Sequence, residues 1–486
     1  MRIYSRDKID GTHQKALKIN LDNRRYGTFA EIGAGQEVVR WFFRVGAAAG
    51  TISKSISAYD MDVSDAIYGS CERYVCRERL ESMLEHEHKL NLERLKDKRG
   101  DSTAFFAFAD TVAARSYKGT NDCHGWMGVK FQSHPRDEDS QIVIHVRMRD
   151  SENALQQEAL GIVGVNLLYG AFFLFHEPEK LLASLLDDLT TERLEIDMVE
   201  FSGIEFRHVD NRLMSLRLVE LGLSNAAMFD PNGVVLQPSE ILRKKSILVE
   251  RGSFRPVCNV NLDIVQCAHK KFCQEPDNNT EEVIQLMEIT MHNLLSTTPT
   301  GDAVDYRDFL ARADMLAACG QTVLISNYSE YYRLAAYLAN HTQRKIGITM
   351  GANSLVELFD EKYYAELAGG ILESFGRLFK NDLKLYIYPF LDLKNNQITT
   401  IENLEIATEL RPLYQYLIGK GCIVHLDGYD GKCLKIFSRD VLKKIENGDN
   451  TWETMVPAEV SKLIKQRNFF DYKKGSLKRS SSAKKK

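Results

Sequence analysis

The sequence predicts an α/β protein in two parts: an N-terminal mixed-sheet α/β part, then βα repeats forming an open parallel sheet or a barrel-like one. Three observations carry this. Tyr26–Ile32 is a short apolar run broken by Gly33-Ala34-Gly35 and followed by helical spacing. Gln141–Met148 alternates residue by residue, as a half-buried strand does. Beyond Val283, short apolar runs and helical stretches alternate regularly, the pattern of βα units. The polar, turn-rich stretch Gln274–Glu282 separates the parts. The expected domains are 1–273, 283–471 and a basic tail over 472–486.

In the first part, residues 1–25 read as an amphipathic lead-in. In the next unit, Tyr26–Asp60, the glycines open the helix Gln36–Val45, whose Val38, Trp41, Phe42 and Val45 share one face. A strand ending in glycines before a helix directs free N–H groups at whatever lies there, commonly an anion. Glu31, Gly33, Gly35 and Gln36 are therefore candidate cofactor contacts. Asp60, closing the second apolar run, is a candidate for a hydroxyl or a metal. The competing reading is a glycine pair that only turns the chain.

Arg73–Arg99 reads as one charged helix with Leu80, Met83, Leu84, Leu90 and Leu95 buried. Its Glu85-His86-Glu87-His88 invites a metal-site reading, but His86 and His88, two apart, diverge around a helix and H-E-x-x-H is absent, so a solvated face is expected. Strands follow at Thr103–Asp110, Gly125–Gln132 and Gln141–Met148. His145 and Arg147 share a strand face, as substrate contacts or, the favoured alternative, as the wet side of an antiparallel sheet. Cys123-His124 pairs a thiol with an imidazole, but neighbours in sequence rarely face each other. Ala159–Phe175 is a glycine-containing apolar run, shorter than a membrane span of about 20 residues, and reads as a core helix. Asp210 is expected to cap a helix, with metal binding alongside Asp197 as the alternative.

Lys244, Lys245, Arg251 and Arg255 crowd one stretch, and Arg251 and Arg255 are candidates for meeting a phosphate or carboxylate, with a simple surface patch as the equal alternative. In the second part, strands are expected at Val283–Met291, Thr322–Ser326, Lys345–Met350, Leu383–Pro389 and Cys422–Asp427. Helices fall at Tyr306–Ala318, Tyr331–Asn340, Leu355–Phe379 with a break at Gly369-Gly370 and, for the most part, Ile401–Gly419. Ligands of such sheets sit beyond the carboxyl ends of the strands. Gly351-Ala352-Asn353-Ser354 lies at one such end, as a weaker anion site or an ordinary helix cap.

Composition sets bounds on function. The 486 residues carry a net charge of −4, yet Lys473–Lys486 holds seven Lys or Arg and no acid, so the rest is more acidic still. An acidic body argues against nucleic-acid binding, leaving only the tail for such a contact. The nine cysteines are irregularly spaced without C-x-x-C, which fits free thiols in a reducing compartment. The polar N-terminus lacks a signal-peptide core, so a soluble cytoplasmic protein is expected. Oligomeric state stays open.

With EIGAGQEVVRWFFRVG, SAYDMDVSDAIYG, HGWMGVKFQ, QQEALGIVGVNLLYGAFF, VDNRLMSL, ERGSFRP and TVLISNYSEYY in view, the chain resembles a family of bacterial proteins of similar length, from about Ile19 to Tyr472. Members go by the names nicotinate-nucleotide adenylyltransferase or TonB-dependent receptor. The first name implies nucleotidyl transfer on a pyridine mononucleotide, although the H-x-G-H of that enzyme class does not occur here. The second implies a β-barrel, whose alternating ten-residue strands do not occur either. Separately, Glu31–Gly35 followed by Asp60 is similar to the first two motifs of S-adenosylmethionine methyltransferases, departing from them at Gln36-Glu37. The leading expectation is a cytosolic enzyme binding a nucleotide or other phosphate-bearing small molecule. The alternatives are an S-adenosylmethionine-dependent methyltransferase and a non-catalytic scaffold.

Overall fold

The computed structural model describes residues 10–119, 121–276, 278, 283–298, 301–392 and 396–472. Residues 473–486 of the basic tail and most of 277–282 lie outside the described residues. The chain forms two units, 1–227 and 228–486, each with its own sheet. Both mix helix and strand, as the α/β expectation requires.

The first unit holds β1 (Arg25–Gly33), β2 (Ile52–Ile56), β3 (Ala104–Ala113), β4 (His124–Gln132), β5 (Asp139–Met148) and β6 (Leu194–Gly203), in the order β2-β1-β3-β4-β5-β6. β1 is parallel to β2 and β3, and the remaining pairs are antiparallel. Its helices are α1 (Thr12–Asn20), α2 (Glu37–Val45), α3 (Met61–Tyr68), α4 (Arg77–Arg99), α5 (Asn153–Phe173), α6 (Pro178–Ser184) and α7 (Asn211–Glu220).

The apolar run 159–175 is the buried α5, and no helix among the described residues is long and apolar enough to cross a membrane. Its glycines allow α2 to approach closely. A Cβ on Gly164 would lie 2.4 Å from Val38, and one on Gly161 would lie 3.0 Å from Glu37. Phe29, Phe42, Phe106, Phe108 and Phe172 fill the core on this side of the sheet.

On α4 the structure departs from the sequence expectation. Glu87 and His88 are buried rather than solvated, and the buried stripe runs Leu80, Leu84, Glu87, His88, Asn91. The helix keeps its period while changing chemistry, because its later turns face polar groups of the sheet. Asn91 donates to Phe106 O at 3.0 Å and accepts from Thr28 Oγ1, and Glu87 accepts from Tyr68. Asp210 caps α7 by accepting from Arg212 N at 3.0 Å.

The second sheet has eight strands: β7 (Ala226–Phe229), β8 (Val235–Leu236), β9 (Ser246–Arg251), β10 (Val283–Thr290), β11 (Thr322–Ser326), β12 (Ile346–Gly351), β13 (Lys384–Tyr388) and, beyond the small hairpin β14 (Phe390–Asp392) and β15 (Gln397–Thr399), β16 (Ile423–His425). The helices α8 (Pro238–Leu242), α9 (Asn259–Phe272), α10 (Met291–Leu295), α11 (Tyr306–Ala318), α12 (Tyr331–His341), α13 (Ala352–Leu358), α14 (Gly370–Leu378) and α15 (Arg411–Gly419) connect them. Residues 228–273, grouped by the sequence reading with the first part, supply β9 and α9 to this sheet. β9 is central, parallel to both β10 and β12. In sequence this stretch reads only as a basic cluster, with no strand assigned; Glu250 and Arg251 stand at the carboxyl end of β9. Between 401 and 419, helix occupies only Arg411–Gly419.

Six strands run in the order β11-β10-β9-β12-β13-β16, all pairs parallel where their registers are given. Numbered by sequence among these six strands, this is 3-2-1-4-5-6, the doubly wound order, with its reversal between β9 and β12. A barrel-like closure is not what forms. Ile264, Cys267, Ala268 and Phe272 of α9 pack on Leu248 and Tyr386 of the sheet.

Candidate functional site

The glycine turn of the first unit is filled by its neighbours. Gly33 has φ +85°, and a Cβ there would lie 2.1 Å from Val112 O; one on Gly35 would lie 1.9 Å from Asp110 Oδ1. Both positions therefore need glycine for close approach to β3. Gln36 closes the turn, its Nε2 donating to Gly33 O at 2.6 Å and to Ser57 Oγ at 3.2 Å. Glu31 is buried and accepts from Val39 N at 3.2 Å. Asp60 is exposed and caps α3 by accepting from Val63 N at 3.1 Å.

Beneath the turn, Glu31 of β1 is in register with Asp110 of β3, which is fully buried. Burial pushes Glu31 up to about 8, and burial together with the Glu31 charge pushes Asp110 well above the usual carboxylate range.

The other face of this sheet carries a linear imidazole chain. His145 is 1% exposed, buried rather than wet, because α4 covers the strands beside it: Leu80 and Leu84 stand over Gly128. Its Nδ1 lies 2.6 Å from Asp197 Oδ1, and its Nε2 lies 3.0 Å from His124 Nδ1. The register sets His145 opposite Trp126 and Arg147 opposite His124, while an irregularity in the β5–β6 register beside His145 leaves Asp197 as the extra residue of β6. Trp126 meets the His145 ring edge-on with centroids 4.9 Å apart. Arg147 pairs with Asp122 at 2.9 Å. Sequence reasoning singled out His145 and treated His124 only with Cys123; alternation could not show that three strands align these groups.

In the second unit, the carboxyl end of β9 brings polar groups together at the strand-order reversal. Arg251 is held in a two-point contact with Glu288 of β10, at 2.8 and 3.0 Å, under the Tyr331 ring at 4.3 Å. Ser326 of β11 donates to the same carboxylate at 2.5 Å. Arg255 pairs with Asp308 at 2.5 Å, and Arg312 pairs with that carboxylate too. Both candidate arginines thus have internal carboxylate partners.

Glu250 differs. It is 4% exposed and in register with Thr349 of β12. Its Oε1 accepts from Asn261 Nδ2 at 2.9 Å, in the first turn of α9, while Oε2 has no partner. Burial pushes it up to about 8, so it carries its proton at neutral pH. Across the reversal, a Cβ on Gly351 would meet nothing within 4 Å, and its φ of −71° suits any residue. Among the described residues no group of three or more His, Cys, Asp or Glu could hold a metal ion.

No protein-family model matches the chain, and no curated protein does. Solved structures match weakly. Nicotinic acid mononucleotide adenylyltransferase of Plasmodium falciparum, complexed with APC, is 12% identical over 47% of this chain and 98% of that chain, with TM-score 0.29. Competence/damage inducible protein CihA of Agrobacterium tumefaciens is 16% identical over 32% of this chain and 93% of that chain, with TM-score 0.24. A competence-damaged protein (CinA) superfamily protein of Enterobacter cloacae is 12% identical over 35% and 98%, with TM-score 0.26. Scores at this level carry no argument about this chain.

Proposed function

We propose that the second unit binds a nucleotide or another phosphate-bearing small molecule at the carboxyl ends of β9 and β12. The observation that carries this reading is the 3-2-1-4-5-6 strand order, whose reversal point is where such sheets take their ligands. Two features of the chain support it. Gly351 leaves open space at the reversal. Glu250, protonated at neutral pH, offers a donor rather than a repelling charge to a ligand oxygen.

Gly351→Val is the discriminating variant, because the added side chain enters empty space without backbone strain and occupies the crevice. Thermal-shift measurements would use ATP with Mg²⁺, NAD, nicotinate mononucleotide and S-adenosylmethionine. A ligand at 100 times its dissociation constant stabilises by about 2.7 kcal/mol. The expected result is a shift with one nucleotide that Gly351→Val abolishes while keeping the unliganded melting temperature. No shift with any of them, or an undiminished shift in the variant, refutes the placement. Nucleotidyl transfer onto a pyridine mononucleotide is the finer reading, tested by pyrophosphate release from ATP. With no H-x-G-H in the sequence, phosphate charge would have to be met by other groups.

A further inference from the structure

The chain Asp197–His145–His124 has no part in the nucleotide reading, and its geometry limits where its protons can sit. An ionised carboxylate only accepts, so His145 Nδ1 carries the hydrogen shared with Asp197 at 2.6 Å. With a neutral His145, Nε2 accepts, so His124 Nδ1 carries the hydrogen spanning 3.0 Å. That leaves His124 Nε2 with a lone pair. Asp197 and His145 are buried, and His124 is partly exposed at the start of β4, so the chain runs from the sheet interior toward solvent.

From this we infer that His124 is a proton-accepting catalytic group of the first unit, with His145 and Asp197 as positioning residues, acting on a substrate hydroxyl or a water. When His124 Nε2 takes a proton, its Nδ1 proton passes to His145 Nε2. The positive charge then rests on His145 against the Asp197 carboxylate, and no other reactant is needed. The charged groups acting on His124 are His145 and Arg147 of β5, Asp197 of β6 and Asp122 of the preceding turn. Burial and the neighbouring His145 hold His124 down to about 4, so its imidazole is neutral and ready to accept over the whole physiological range.

The probe is p-nitrophenyl acetate with the full-length protein. Nε2 bonds to the acyl carbon as the ester C–O bond breaks, p-nitrophenolate leaves with the electron pair, and the Nδ1 proton moves to His145. Release should fall at least tenfold in His124→Gln. In the unaltered protein it should stay level down to about pH 5.5, where an ordinary histidine, titrating near 6.5, has lost most of its reactivity. Asp197→Asn keeps the shape and removes the charge, and should lower the rate about tenfold with the circular dichroism spectrum unchanged. An unchanged rate in His124→Gln, or a wild-type profile titrating near 6.5, overturns the proposal. Asp197 is buried, so a measurement free of substitution accompanies it. Imidazole ¹⁵N shifts at pH 7 should show His124 protonated at Nδ1 and bare at Nε2. Finding the opposite tautomer overturns the proposal as well.

Discussion

Gly35 and Gly351 show how little a glycine discloses in sequence. Both follow strands and precede helices, and both invite the same anion-binding reading. In the fold, the space at Gly35 is taken by the Asp110 carboxylate, while the space at Gly351 is open. Gly35→Ala should therefore overpack the turn and cost about 1–3 kcal/mol, with thermal denaturation as the measurement. Gly351→Ala should leave the melting temperature within error. Equal effects would mean that the two glycines play the same role. The sequence named the residues of the first turn, Glu31, Gly33, Gly35, Gln36 and Asp60, because spacing is local. It could not show what stands across from them, since Asp110 and Val112 lie far along the chain. Arg251 and Arg255 were likewise visible as charges, but not as partners of Glu288 and Asp308.

At the scale of elements, the parallel pairing of β1 with β3 sets Glu31 beside Asp110, and both carboxyls are held above their ordinary range. The unfolded chain ionises each near 4, whereas the folded chain keeps Glu31 protonated up to about 8. Raising the pH thus favours the unfolded state. The contribution to stability is full below about pH 4 and is lost as pH rises through 8. Glu250 adds a contribution of the same sign in the second unit. Asp110→Asn removes one of these groups and should flatten the fall in urea midpoint between pH 5 and 8. A fall as steep as that of the wild type would show that Asp110 ionises freely.

Elements were legible where their period was apolar and unbroken, as in β10, α11, β11 and α12, whose bounds match to within a residue. They were hidden where polar residues continue a buried stripe, as Glu87, His88 and Asn91 do on α4, or end a central strand, as in β9.

Over the whole molecule, the two units each have what an independent fold requires. Residues up to Leu223 complete the first sheet, Leu223 O accepting from Ile196 N at 3.1 Å, and β7 then opens the second sheet at Ala226. A cut between Ser224 and Asn225 separates the two sheets without dividing either one. Units of more than 200 residues bury about 70% of the surface exposed on unfolding, enough for stable cores without the partner. Fragments 1–224 and 225–486 should therefore each unfold cooperatively when expressed alone. The nucleotide-induced thermal shift should stay with the second fragment and p-nitrophenolate release with the first. The outcomes separate cleanly. Loss of both activities in well-folded fragments would mean that each site needs residues from both units. Retention of only one would leave that reading standing and remove the other, because the strand-order reversal of the second sheet and the imidazole chain of the first share no residue.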